Sequence, residues 1–133
     1  KVEYFLESSL KSGVDWSEKK ILIAEDNRSN YFYISESLRK TGAQVFWAKD
    51  GIEAVQLFNE KKPDLILMDI QMPEKNGYEA FNEIRNSSDI PIIAQTAYAM
   101  VEEKEKIQSA GFNAYLSKPI NRLELIEVLS MHL

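Results

Sequence analysis

Polar residues that are suited to phosphate or metal chemistry come at the ends of four short apolar runs of this sequence. They are two adjacent acids, Glu25 and Asp26, a third acid, Asp69, a hydroxyl residue, Thr96, and an amine, Lys118. Short continuous apolar runs are typical of buried parallel strands. Because open α/β sheets place their sites at the carboxyl ends of the strands, we expect these side chains to meet at one edge of one sheet.

The three acids predict a site for a hard metal ion. Carboxylates held about 4 Å apart repel each other by roughly 4 kcal/mol per pair at an effective dielectric constant of 20. Oxygen ligands without histidine or cysteine favour Mg²⁺ that keeps some of its waters. An acid after a strand can also simply cap the next helix. That simpler explanation suits Asp26, but it suits Asp69 poorly because no helix is predicted before Gly77.

The hydroxyl and the amine are suited to binding a phosphoryl group. A phosphoryl group on Asp69 would carry about two negative charges and three acceptor oxygens. Mg²⁺, the Thr96 hydroxyl and the Lys118 ammonium could each bind one of those oxygens. Taken singly, Thr96 is also an ordinary β-branched residue at a strand end, and Lys118 an ordinary surface lysine.

The elements that would position these residues alternate between strand and helix. Strands are predicted over 20–24, 44–48, 64–69, 91–95 and 113–117, and helices over 28–41, 51–61, 77–86, 98–110 and 121–131. Gly42 and Gly111 stand where C-cap glycines belong, and Asn121 can cap the last helix. The pattern predicts an α/β fold with a doubly wound, five-stranded parallel sheet of order 2-1-3-4-5, flavodoxin-like and three-layered.

The 133 residues divide into a short first segment and one domain. Residues 1–18 have interrupted helical spacing, and we expect a linker or the end of a preceding helix there, with the domain over 19–133. The chain begins with Lys1 rather than Met, which favours a piece of a longer protein.

The composition excludes several classes of function. A formal net charge of −5 argues against direct binding of nucleic acid, which needs clustered Lys and Arg. No apolar stretch approaches the roughly 20 residues of a membrane span. The absence of cysteine suits a cytoplasmic protein.

The order of the motifs resembles a known family. Residues 20–131 resemble the receiver domain of two-component response regulators, and most of all the receiver of a hybrid histidine kinase. The matching elements are the acidic pair Glu25-Asp26, Asp69 with Met72-Pro73 and Gly77 behind it, Thr96 followed by Ala97, Tyr115, and Lys118-Pro119. The stretch over 25–30 is similar to the version found in hybrid sensor kinases.

This resemblance implies a role for each site residue. Asp69 would be the phosphoacceptor, and Mg²⁺ would be held by Glu25, Asp26, Asp69 and the backbone carbonyl of Gln71. The residues implied to bind the phosphoryl group or to switch with it are Lys118, Thr96, Ala97 and Tyr115.

The resemblance also implies partners and a place in a phosphorelay. The phosphoryl donor would be a histidine kinase or a histidine phosphotransfer domain, and the compartment would be the cytoplasm. The domain would promote its own phosphorylation and dephosphorylation without turning over a separate substrate. The parent chain could be a histidine kinase, and a weak dimer is compatible with the family.

The helix predicted over 28–41 carries four apolar residues in succession, from Tyr31 to Ile34. At about 100° per residue they cannot all face the sheet, so Phe32, Tyr33 or both should lie partly outside the core. One explanation is packing under a neighbouring helix or under residues 1–18. The other is that they dock a four-helix phosphotransfer or kinase dimerisation domain.

Three other functions fit this sequence less well. A flavodoxin-type FMN binder would need a phosphate-binding first loop, whereas Glu25 and Asp26 would repel phosphate. An aspartyl-phosphate phosphatase is expected to carry a second acid two residues after the nucleophile, where this chain has Gln71. A receiver-like interaction module that is never phosphorylated should lack some of the site groups, and all are present.

Overall fold

The computed structural model describes residues 14–133, in which five strands alternate with five α-helices. The strands are β1 (Lys20–Ala24), β2 (Gln44–Ala48), β3 (Leu65–Asp69), β4 (Ile92–Thr96) and β5 (Ala114–Ser117). The helices are α1 (Arg28–Leu38), α2 (Gly51–Lys61), α3 (Gly77–Arg85), α4 (Val101–Ala110) and α5 (Arg122–Ser130), with a 3₁₀ turn over Arg39–Thr41 after α1.

All strand pairs are parallel, and the sheet has the order β2-β1-β3-β4-β5. The predicted doubly wound architecture is therefore confirmed. The order reverses between β1 and β3, which places the switch point where the loops after these two strands diverge.

Two apolar cores lie on the two faces of the sheet, because successive side chains of a strand point to opposite faces. On β1, Leu22 packs with the core formed by α2, α3 and α4, whereas Ile21 and Ile23 pack with the core formed by α1 and α5. Nearly all residues of the three central strands are buried, as expected of a parallel sheet covered on both faces.

Side-chain caps fix where the helices begin. Asn27, Asp50, Asn76 and Asn121 each accept a hydrogen bond from the backbone N–H three residues further on. The cap of α1 is Asn27, so the N-cap explanation for Asp26 does not apply. Its carboxylate is left available for other interactions.

Two predicted helix boundaries differ from the structure by three residues, and the others agree to within one residue. The helix predicted over 98–110 begins only at Val101, because the Thr96 hydroxyl accepts a hydrogen bond from the Tyr98 N–H at 3.0 Å and turns the chain before the helix. The helix predicted over 28–41 is α-helical only to Leu38. Its last turn tightens to 3₁₀ where the Thr41 hydroxyl donates to the Leu38 carbonyl.

The end of the first segment contacts the domain. Trp16 is buried against the core under α1 and α5. Its backbone N–H donates a hydrogen bond to the Thr41 carbonyl at 2.7 Å. The expectation for residues 1–13, a linker or the end of a helix, lies outside the described residues. Over residues 14–133, no helix combines the length and the apolar character needed to cross a membrane.

Candidate functional site

The three acids meet at the carboxyl edge of the sheet, as predicted. Glu25 directly follows β1 and Asp69 is the last residue of β3, so the pairing of these neighbouring strands brings the two together. One carboxylate oxygen from each of Glu25, Asp26 and Asp69 lies within 4.8 Å of the others. Glu25 and Asp69 are buried and Asp26 is exposed, which gives the cluster a closed side and an open side.

Lys118 reaches the acids from the end of β5. Its Nζ lies 2.7 Å from Oδ2 of Asp69 and 3.2 Å from Oε1 of Glu25. The backbone holds it there, since the Lys118 N–H donates to the Thr96 carbonyl at 2.8 Å. The lysine is therefore part of the site and not an ordinary surface residue.

Burial and the neighbouring charges shift the pKa values of two groups at the site. Burial, followed by the charge of Asp69, raises the pKa of Glu25 to about 7. Burial opposes the ammonium form of Lys118, but its interactions with Asp69 and Glu25 outweigh that cost and raise its pKa. Between pH 4.5 and about 7 the folded protein keeps a Glu25 proton that the unfolded chain has lost. The fold without metal therefore loses stability as the pH rises through this range.

The loop after β3 holds the Asp69 carboxylate in place. Oδ1 of Asp69 accepts a hydrogen bond from the Gln71 N–H at 3.1 Å. Gly77, the first residue of α3, donates its N–H to the Ile70 carbonyl at 2.9 Å. A Cβ at Gly77 would lie 2.3 Å from the carbonyl oxygen of Asp69, so only glycine allows α3 to begin this close to the strand.

Thr96 and Tyr115 lie on β4 and β5, the two strands that follow the Asp69 strand in the sheet. Thr96 is buried at the end of β4, and its hydroxyl accepts from the Tyr98 N–H. Tyr115 pairs with Ala94 across β4 and β5, which puts the ring on the same face as Thr96 and one diagonal step away. The ring is partly exposed, with the Lys104 ammonium 5.8 Å from its centre. Ala97 follows Thr96 and is exposed.

An open polar cavity of about 410 Å³ adjoins the exposed side of the acids. It lies between the loop after β3, the start of α3 and helix α4. Its polar lining residues include Asp26, Gln71, Tyr78, Glu103 and Lys106. The Tyr78 hydroxyl donates to Glu103 and so joins α3 to α4, and burial is the main cause that raises the Tyr78 pKa.

Helix α1 presents the predicted aromatic residues. Phe32 is 63% exposed and Tyr33 is 47% exposed, whereas Ile34 is buried. Tyr31 stacks on Trp47 with a ring separation of 4.4 Å. The Trp47 indole N–H in turn donates to the backbone carbonyl of Glu25 at 2.7 Å, which links this aromatic pair to the acidic cluster.

Sequence reasoning missed two features of the site. Gln95, the last residue of the strand predicted over 91–95, is fully buried beside Asp69. Trp47 carries no group that points to this chemistry in the sequence, yet its indole N–H supports the loop that carries Glu25. The one sequence signal for Gln95 was a large amide directly after three apolar residues in a buried strand.

Oxygen ligands, one amine and one hydroxyl at the switch point of a doubly wound sheet define a class of protein. It is the class of phosphoacceptor signalling domains, in which a strand-end aspartate accepts a phosphoryl group. Comparison with known proteins identifies the family within that class. Residues 21–130 match the model of the response regulator receiver domain.

One curated relative is the polar-differentiation response regulator DivK of Brucella anthropi, which is 38% identical over 118 residues. The alignment covers 86% of this chain and 96% of that protein. The chain therefore belongs to the receiver domain family of two-component response regulators.

Solved structures of similar sequence share the fold. The receiver domain of sensor histidine kinase PA1611 from Pseudomonas aeruginosa is 40% identical with a TM-score of 0.79, over 86% of this chain and 96% of that one, and holds a magnesium ion in its active site cleft. The receiver domain of Ssk1 from Saccharomyces cerevisiae, solved with the histidine phosphotransfer protein Ypd1, is 32% identical with a TM-score of 0.81, over 86% and 88% of the two chains.

Proposed function

We propose that Asp69 is the phosphoacceptor of this receiver domain. The observation that carries the proposal is the buried Asp69 carboxylate at the end of β3, with the Lys118 ammonium 2.7 Å away and two further acids beside it. An Asp69 oxygen attacks the phosphorus of a phosphohistidine and forms a P–O bond. The P–N bond breaks, and the imidazole nitrogen leaves with its electron pair and takes up a proton.

Labelling with a small donor tests this assignment. Acetyl phosphate with Mg²⁺ should add one phosphoryl group to the wild-type chain, hydroxylamine should release it, and Asp69→Asn should abolish the label. Asp64→Asn is a matched control, because Asp64 precedes the same strand at its other end and accepts from the Lys20 N–H. Label that survives in Asp69→Asn would move the acceptor to another residue.

The same acids are proposed to hold Mg²⁺, together with the backbone carbonyl of Gln71. Oε1 of Glu25 is buried and makes no hydrogen bond, and its one close cationic neighbour among the described residues is the Lys118 ammonium at 3.2 Å, so it can serve as a cation ligand. The all-oxygen donor set and the open side at Asp26 also fit an ion that keeps several waters. When bound, Mg²⁺ supplies positive charge that offsets the phosphoryl oxygens and the repulsion among the acids.

Lys118, Thr96, Ala97 and Tyr115 are proposed to complete the switch. Lys118 moves its contact from the Asp69 carboxylate to the phosphoryl group. The Thr96 hydroxyl exchanges its present interaction with the Tyr98 N–H for a phosphoryl oxygen, drawing the segment that contains Ala97 with it. Tyr115 fills the space that this movement frees, beside the small side chain of Ala94.

The donor is proposed to be a histidine kinase or a histidine phosphotransfer domain that docks on α1. The exposed Phe32 and Tyr33 would supply the apolar anchor of that contact. The solved complex of Ypd1 with the Ssk1 receiver supports this type of partner. A weak dimer is a further proposal, as is the absence of direct contact with nucleic acid.

The origin of the chain is also a proposal. We infer a receiver domain over residues 19–133 with a linker or helix end over 1–18, taken from the cytoplasmic part of a hybrid histidine kinase. The similarity to the PA1611 receiver supports this origin. In the alternative of an interaction module that is never phosphorylated, acetyl phosphate would leave the chain unlabelled.

A further inference from the structure

Gln95 has a buried side-chain amide that makes no hydrogen bonds to the described part of the chain, which is unusual for a buried polar group. Its side chain is fully buried, and within residues 14–133 neither the amide oxygen nor the amide nitrogen has a hydrogen-bond partner. Among the described residues, the one other buried side-chain atom in this condition is Oε1 of Glu25. Buried amides in native proteins are nearly always satisfied, so an exception needs an explanation.

The position of Gln95 relates it to the phosphoacceptor site. Its Cα pairs directly with that of Asp69 across β3 and β4, where neighbouring strands lie roughly 4.8 Å apart. Leu67 and Ile93 belong to the core under α1 and α5, so Asp69 and Gln95, each two residues further on, face the same side of the sheet. The Gln95 amide is therefore the neutral neighbour of the Asp69 carboxylate in one row of the sheet.

The backbone of Gln95 also takes part in holding Asp69. The Gln95 carbonyl accepts a hydrogen bond from the Ile70 N–H at 3.0 Å, immediately after the acid. This bond fixes the main chain around Asp69, and it leaves the side-chain amide unused. A methionine of nearly the same shape would fill the space without burying a polar group. Local rules broken without a structural gain are expected at functional sites.

We propose that Gln95 is a positioning residue for phosphorylated Asp69, a proposal that rests on Asp69 being the acceptor. In the unmodified protein, Oδ2 of Asp69 is held by Lys118 and Oδ1 by the Gln71 N–H. The phosphoryl group is added at Oδ1, so Oδ2 remains as the carbonyl oxygen of the acyl phosphate, and it loses its donor when Lys118 turns to the phosphoryl group. The Gln95 amide N–H donates to that oxygen and orients the phosphorylated side chain.

Replacement by a residue of similar shape tests the proposal. Gln95→Met should melt at a temperature equal to or above that of the wild type, because a buried unpartnered amide has been removed. Labelling by acetyl phosphate at saturating Mg²⁺ should nevertheless slow by about tenfold, the change expected for one lost hydrogen bond. Ile93→Met is the matched control, since it lies on the same strand and face one row away, and it should label at the wild-type rate.

A spectroscopic measurement on the wild-type chain keeps the proposal testable if the variant does not fold. The side-chain NH₂ signals of Gln95 should shift on phosphorylation and stay unchanged in Asp69→Asn treated alike. Wild-type labelling of Gln95→Met, or Gln95 signals that ignore phosphorylation while Asp69 is labelled, would overturn this role alone. Absence of Asp69 labelling in the wild type would instead overturn the proposed function.

Discussion

The two edges of the sheet treat their polar groups in opposite ways. At the amino edge, Asp64 accepts from the Lys20 N–H at 2.8 Å, and the Lys20 ammonium donates to the Lys61 carbonyl at 3.1 Å. At the carboxyl edge, acids crowd around one lysine, and Glu25 and Gln95 keep buried atoms without hydrogen-bond partners. The amino edge is built for stability, whereas the carboxyl edge gives up stability to keep groups ready for chemistry.

The glycines at the two edges are required for different structural reasons, which also follow from what each edge does. At the amino edge, Gly42 and Gly111 end helices with φ angles of 82° and 103°, which L-residues rarely adopt. At the carboxyl edge, Gly51 and Gly77 begin helices and lack such angles, but a Cβ there would lie 2.1 Å and 2.3 Å from a backbone oxygen. Backbone conformation demands glycine at one edge, and close packing around the site demands it at the other.

The largest expected effect comes from filling the space at Gly77. Gly77→Ala should destabilise the fold by about 3 kcal/mol, because the new Cβ overlaps the backbone of Asp69 and neither element can move easily. Gly111→Ala should cost roughly 1–2 kcal/mol through its φ angle alone. Thermal or urea unfolding measures both changes.

The Gly77→Ala and Gly111→Ala variants should also differ in phosphorylation. Any Gly77→Ala protein that folds should lose acetyl phosphate labelling, because Asp69 is displaced, whereas Gly111→Ala should label normally. Normal labelling of Gly77→Ala would show that the start of α3 does not set the position of the acid.

The second largest effect is expected at the lysine shared by the acids. Lys118→Met should destabilise the metal-free protein by about 2 kcal/mol near pH 7, below the full cost of breaking a buried pair because the lysine is partly exposed. Lys20→Met, at the amino edge, should stay within about 0.5 kcal/mol. Denaturant unfolding in the presence of a chelator tests both. Equal effects at the two lysines would contradict the contrast between the edges.

Much of the fold could be predicted because its signals are local. Apolar runs located every strand, and the sheet order follows from alternating strands and helices with right-handed crossovers. The start of α4 was wrong by three residues, because the Thr96 hydroxyl bonds to the Tyr98 N–H and delays the helix. Such competition between a side chain and the backbone is not visible in apolar periodicity.

The sequence predicted the members of the site only where the residue type itself indicates metal or phosphate chemistry. The meeting of Glu25, Asp26 and Asp69 followed from their places at strand ends, and it is confirmed. Gln95 was not singled out, because its importance depends on which face of β4 it occupies and on the absence of a partner there. Burial and pairing across strands are properties of the assembled sheet, which a single run of sequence does not specify.

The third prediction concerns the metal. Asp26→Asn should raise the stability of the metal-free protein by up to about 1 kcal/mol by relieving repulsion at an exposed position. It should also weaken Mg²⁺ binding by roughly tenfold or more, since one of three ligand charges is lost. Asp64→Asn at the amino edge should leave Mg²⁺ binding unchanged and should not raise stability, because it weakens the hydrogen bond from the Lys20 N–H.

Fluorescence titration of Trp47 in a Trp16→Phe background measures the affinity, because the Trp47 indole bonds to the Glu25 carbonyl. Thermal melts with and without Mg²⁺ measure the stability. If Mg²⁺ leaves the melting temperature of the wild type unchanged and Asp26→Asn lowers it, the cluster is structural and the metal assignment fails.

The smallest effect on the domain itself is expected on α1, which borders the carboxyl edge without belonging to it. Phe32→Ala and Tyr33→Ala remove exposed side chains, so stability should change by no more than about 0.5 kcal/mol. Transfer from a phosphorylated histidine phosphotransfer protein should slow by about tenfold or more, because an anchor residue of the contact is lost. Labelling by acetyl phosphate should stay at the wild-type rate, since that donor needs no docking surface.

The comparison of donors decides what the α1 aromatics do. Ile52, exposed at 43% on α2, provides the matched control, and Ile52→Ala should leave both donors unaffected. Slowing with both donors in Phe32→Ala or Tyr33→Ala would mean that the change had spread through α1 to the acids, for which Tyr31 stacked on Trp47 offers a route. Unchanged rates with both donors would make these residues simple surface aromatics and place the docking surface elsewhere. Slowing with the protein donor alone is the result that a docking role requires.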